Sequence, residues 1–121
     1  MKRLLVVVTF FLMLCFSVYA HRPIAIKIEP DFKNDKLTIR IIHPVTNPRK
    51  RYIKKVEVLI DDRKPLVYRF FFQIGDKKEF SISVPDLDKA EKLIIRAYCV
   101  KGGMREEEFN LKEFKDKELK K

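Results

Sequence analysis

The chain has 121 residues, of which 46% are hydrophobic and 36% charged, and 27 Lys+Arg against 17 Asp+Glu give a formal net charge of +10. That length fits one small domain rather than several. The basic balance would suit an acidic partner or a membrane surface, but the lysines scatter along alternating segments, and no basic helix or stacking motif accompanies them, which sets nucleic acid aside as a ligand.

Met1, Lys2 and Arg3 form a basic start, Leu4 to Phe16 an apolar stretch, and Val18-Tyr19-Ala20 places short residues where a signal peptidase cuts. Residues 1–20 therefore read as a cleavable signal peptide, and the mature chain is expected in the periplasm or secreted. The apolar stretch is shorter than the roughly 20 residues a spanning helix needs, so no membrane association is expected after cleavage. Leu14 stands where a lipoprotein signal would carry a small residue before Cys15. Cleavage removes Lys2 and Arg3, two of the ten net charges, and leaves 101 residues at +8 with one cysteine, Cys99. A lone thiol in an oxidising compartment is buried, pairs between chains or holds a metal.

Apolar residues then recur with period two. Ile24, Ile26 and Ile28 are followed by a turn at Asn34-Asp35 and by Leu37, Ile39 and Ile41. Val56, Val58 and Ile60 precede Asp61-Asp62, Tyr68, Phe70 and Phe72 precede Gly75-Asp76, and Phe80, Ile82 and Val84 precede Pro85. Leu93, Ile95, Ala97 and Cys99 make the next inward set, and Gly102-Gly103 turns into a last strand from Arg105 to Leu111. Seven short strands without a helical period predict an all-β fold, an immunoglobulin-like antiparallel β-sandwich spanning 21–111. The run Phe70-Phe71-Phe72 is expected to be core packing. Glu106-Glu107-Glu108 is expected on a charged edge strand that discourages aggregation. Residues 112–121 form a charged tail, expected as a frayed helix or a solvated end.

The soft donors of the mature chain are His21, His43 and Cys99, at the new amino terminus and at two strand ends. Imidazole with thiolate suits iron, zinc or copper, whereas calcium and magnesium want oxygen. Singly, each also fits a plainer place: a terminal residue, a polar strand end, a small buried hydrophobe. Hydrolytic chemistry is not indicated, because Ser81 and Ser83 lie within a strand pattern and no Gly-x-Ser-x-Gly or phosphate-cradling loop occurs. No catalytic residue is assigned.

The succession His21-x-Pro23-Ile24, His43-Pro44, Tyr52 to Val58, Gly75-Asp76, and Arg96-Ala97-Tyr98-Cys99 followed by Gly103 resembles the iron-binding domain of desulfoferrodoxin and the superoxide reductases. The resemblance spans nearly the whole mature chain, and the Arg-x-Tyr-Cys run before a glycine turn is its most specific part. It implies an immunoglobulin-like sandwich holding one non-haem iron through four histidines and an axial cysteine. On that resemblance His21 matches the first histidine, His43 the histidine of the His-Pro motif and Cys99 the axial thiolate, so the metal set is His21, His43 and Cys99. Two family histidines have no counterpart: Arg51 and Tyr52 stand before the Ile-x-x-Val-Glu strand, and the family's Cys-Asn-x-His-Gly reads Cys99-Val100-Lys101-Gly102-Gly103. The lysine that precedes the family's first histidine is also replaced.

Three functions follow. The first is a desulfoferrodoxin-like domain that binds iron or a related metal through an incomplete His/Cys set, with a redox role. The second uses the free α-amine and imidazole of His21, with His43, to hold copper. The third is a metal-free interaction module, similar to carrier proteins of periplasmic thiosulfate oxidation, that meets a protein partner through a sheet edge.

Overall fold

A computed structural model describes residues 22–119; His21 and the expected signal peptide, 1–20, lie outside the described residues. Seven strands follow in order: β1 (Ala25–Asp31), β2 (Lys36–Ile42), β3 (Ile53–Ile60), β4 (Leu66–Arg69), β5 (Lys77–Ser83), β6 (Lys92–Cys99) and β7 (Met104–Asn110). One helix, α1 (Leu111–Leu119), closes the described chain. The strands form two antiparallel sheets, β1-β2-β5 and β4-β3-β6-β7. The all-β sandwich expected from the alternation is thus the observed fold. β4 pairs with β3 rather than with β5, so the division is three strands and four, unlike the constant-type immunoglobulin arrangement.

The alternating residues meet between the sheets. Leu37, Ile39 and Ile41 of β2 face Val56, Val58, Leu93 and Ile95 of the opposite sheet's strands within one connected apolar core, all fully buried. Each such side chain contributes about 1.5–3 kcal/mol by leaving water. At one end of the sandwich the turns use aspartates in the left-handed region: Asp35 (φ 51°), Asp61 (φ 46°) and Asp86 (φ 54°). Short polar side chains tolerate that conformation because they hydrogen-bond locally. Asp61 accepts from the backbone N–H groups of Glu91 (3.2 Å) and Lys92 (2.9 Å), which fixes the start of β6.

Two expectations about the chain's aromatic and charged parts meet the structure differently. Phe70 packs on the core and stacks at a tilt on Phe80, 4.9 Å between centroids. Phe71 and Phe72 instead face solvent, Phe71 at 82% exposure, so the expected packing of the whole run is corrected. β4 is a four-residue edge strand, and the chain beyond it turns so that Gln73 enters the interior, which forces its neighbours outward. The glutamates are on β7, an edge strand as expected, where Arg96, Arg105 and Lys92 pair with Glu106, Glu107 and Glu108. After β7, Asn110 Oδ1 accepts from the Lys112 N–H (3.0 Å) in the manner of a helix cap. Leu111 is buried, and Phe114 meets Phe109 edge-on at 6.4 Å, so α1 is docked on the sandwich.

Candidate functional site

Strand pairing brings the chemistry-bearing positions to one end. Ile42, the last residue of β2, is opposite Lys77 at the start of β5, and Ile53 at the start of β3 is opposite Cys99 at the end of β6. His43 continues the inward alternation of β2 by one position, and its N–H donates to the Asp76 carbonyl at 2.7 Å. Cys99 ends the inward alternation of β6. Both are buried, His43 at 1% exposure and Cys99 at 0%. They are the terminal inward residues of opposite sheets, at the same end of the sandwich.

Gln73, which the sequence does not single out, ties that end together. Its Oε1 accepts from His43 Nδ1 (2.9 Å) and from the Ile53 N–H (3.3 Å), while its Nε2 donates to the carbonyls of His43 and Gly75, both at 2.8 Å. A carbonyl can only accept, so the two Nε2 contacts fix which way the amide lies. Oε1 can only accept as well, so His43 Nδ1 carries its proton. In the neutral ring the lone pair is then on Nε2, the atom with which such an imidazole binds a metal. The only sequence signal for Gln73 is that it is the single amide inside Phe70-Phe71-Phe72-Gln73-Ile74.

The thiol is held by a tight turn. The Cys99 N–H donates to the Gly103 carbonyl (2.7 Å), and the Cys99 carbonyl accepts from the Gly102 N–H (3.0 Å). Gly102 has φ 102°, a conformation closed to most side chains, so the turn requires glycine there. The Val100 N–H donates to the Tyr52 carbonyl (3.0 Å), which joins this turn to the chain entering β3. Cys99 is a free, buried cysteine, and its burial shields it from oxidation.

Of the three expected ligands, the structure brings His43 and Cys99 to one end, and His21 lies outside the described residues. Among the described residues no three His, Cys, Asp or Glu side chains group as a metal cage. The donor chemistry at this end, one oriented imidazole and one buried thiol, is of the kind that soft or borderline metals take. Arg51 is exposed on the loop before β3, with its N–H on the Asn47 carbonyl at 2.9 Å.

Charge is divided between the two ends. The segments joining strands at the His43–Cys99 end, with residues 22–24, carry Arg22, Arg49, Lys50, Arg51 and Lys101 against Asp76 alone. The connections at the opposite end, 32–35, 61–65 and 84–91, hold six carboxylates against four cations. On the outer face of the larger sheet, the Tyr98 hydroxyl hydrogen-bonded to Glu57 holds that carboxyl below its usual range, with Lys55 and Arg96 adding to the effect against a burial cost. The same bond raises Tyr98.

No family model and no curated protein sequence matches the chain. Among solved structures, a superoxide reductase (1Fe-SOR) from Giardia intestinalis is similar, with a TM-score of 0.53 and 21% identity over 74% of this chain and 98% of that one. At that identity the likeness is one of fold: the sandwich shares the fold of that superoxide reductase.

Proposed function

We propose that the chain is an exported desulfoferrodoxin-like domain, periplasmic or secreted, that binds one metal ion, iron in the first place, through His21, His43 and Cys99. The observation that carries this is the burial of His43 and Cys99 as the last inward residues of opposite sheets at one end, with the His43 tautomer set by Gln73 so that Nε2 holds the lone pair. The fold shared with a 1Fe superoxide reductase supports iron as the metal. Arg51, Tyr52 and Gly102 stand where the family's other histidines would be, so the proposal is metal binding with a redox change at the metal, and not efficient superoxide reduction.

Iron added anaerobically to the full chain, recovered after export and sequenced at its amino terminus, is expected to bind at one equivalent per chain. Cys99→Ser and His43→Ala are each expected to abolish stoichiometric binding. Absence of bound iron, or binding unchanged by Cys99→Ser, defeats the proposal. Cu(II) binding that survives Cys99→Ser and vanishes when one residue is added before His21 would instead select the amino-terminal copper site.

A further inference from the structure

Of the six large hydrophobic side chains exposed among the described residues, five are at the His43–Cys99 end: Ile24, Phe71, Phe72, Ile74 and Met104. Only Val67 is elsewhere, on β4. Phe71 and Ile74 stand out furthest, at 82% and 78% exposure, on the loop that sends Gln73 inward. The connecting segments at the same end carry a positive excess, five cations against one carboxylate, and a lysine of β5 lies against the apolar run. Lys78 Nζ lies 4.2 Å from the centre of the Phe70 ring and 4.7 Å from that of Phe72.

We propose that this end is a docking surface for an anionic phospholipid bilayer, with Phe71, Phe72 and Ile74 entering the headgroup boundary and the surrounding lysines and arginines meeting lipid phosphates. The centre of a protein–protein interface is depleted in lysine and closely packed. Here separate apolar tips stand among cations, an arrangement that a fluid interface accommodates without shape complementarity. The course of the chain agrees. The described residues begin with Arg22 at this end, and the apolar stretch Leu4 to Phe16 stops six positions earlier, at most about 20 Å of extended chain. The end that carries the tips is therefore the one nearest the bilayer while the apolar stretch is still attached. No helix among the described residues is long and apolar enough to span a membrane. The attachment does not depend on a metal at the site.

Vesicles of phosphatidylcholine with about a third phosphatidylglycerol, and vesicles of phosphatidylcholine alone, test this by co-sedimentation of the full chain recovered after export. Each basic residue near an anionic surface is worth about fivefold in partitioning. Binding to the anionic vesicles is expected to exceed binding to the neutral ones by more than tenfold and to fall in high salt. Phe71→Ser with Ile74→Ser is expected to lower it at least tenfold, and Lys50→Glu with Lys101→Glu to remove the preference for anionic lipid. Because the chain has no tryptophan, Phe71→Trp gives a reporter in a folded protein. Its emission should shift to the blue on anionic vesicles, while that of Val67→Trp on β4 should stay in place. Equal binding to both vesicle types, an unshifted Phe71→Trp, or a Phe71/Ile74 variant that loses only a soluble acidic protein partner would overturn the proposal.

Discussion

Gln73 spends all its hydrogen-bonding capacity on one corner of the sandwich, and no single substitution replaces it. Leucine would match its bulk but leave the buried Ile53 N–H and His43 carbonyl without these partners, at about 1–3 kcal/mol each. Gln73→Leu is expected to lower the unfolding free energy by roughly 2–6 kcal/mol, measured as a reduced urea midpoint at unchanged slope. An unchanged midpoint would mean that water replaces the amide. Cys99, fully buried, should react with a thiol reagent only as fast as the protein unfolds, so modification that is fast under native conditions would place it at the surface. His43 and Cys99 were legible in the sequence because imidazole and thiol carry their chemistry with them. Gln73 was not, since an amide acquires a role only from the carbonyls that the folded loop brings to it. Phe71 and Phe72 were misjudged for the same reason: alternation predicts facing while a strand lasts, and β4 ends at Arg69.

Along β3 and β6 the outer face carries a polar ladder that makes stability depend on pH. Glu57 has its carboxyl below the ordinary 4.5, chiefly through the Tyr98 hydroxyl, and Glu79 on β5 is lowered in the same direction by Arg40 at 2.9 Å. Groups lowered by folding stabilise the native state fully above their unfolded values and lose that contribution as pH falls through the folded ones. The thermal midpoint is therefore expected to hold from neutral pH to about 4.5 and to drop below it. In the Glu57→Gln, Glu79→Gln variant the midpoint should be lower at neutral pH and flatter in acid, as followed by calorimetry. An equally steep acid limb would assign the acid sensitivity to other carboxylates. α1 is held at its first residue: Leu111→Ala removes a fully buried side chain and is expected to cost about 2–5 kcal/mol, read from chemical denaturation. A cost near zero would show that the helix end is not docked.

Across the whole molecule, one apolar core joins both sheets, so unfolding is expected to be a single cooperative transition. Ile95→Ala in the central strand β6 should shift that transition by about 2–5 kcal/mol without splitting it, with far-ultraviolet dichroism and tyrosine emission moving together. Separate midpoints for the two probes would show sheets that melt independently. The sequence by itself determined the all-β class and the inward faces of most strands, the end of β4 excepted, because a period of two follows from the local geometry of an extended chain and the aspartate and glycine turns bound the strands. It also singled out His43 and Cys99. Only the tertiary structure decided that β4 joins the sheet of β3, that Gln73 fixes the His43 tautomer, and that α1 packs on the sandwich. Connecting segments far apart in sequence bring a positive excess to one end together with the exposed apolar side chains, because antiparallel pairing returns every second connection to the same end. Such a gathering depends on distances between residues far apart in sequence, which no local pattern encodes.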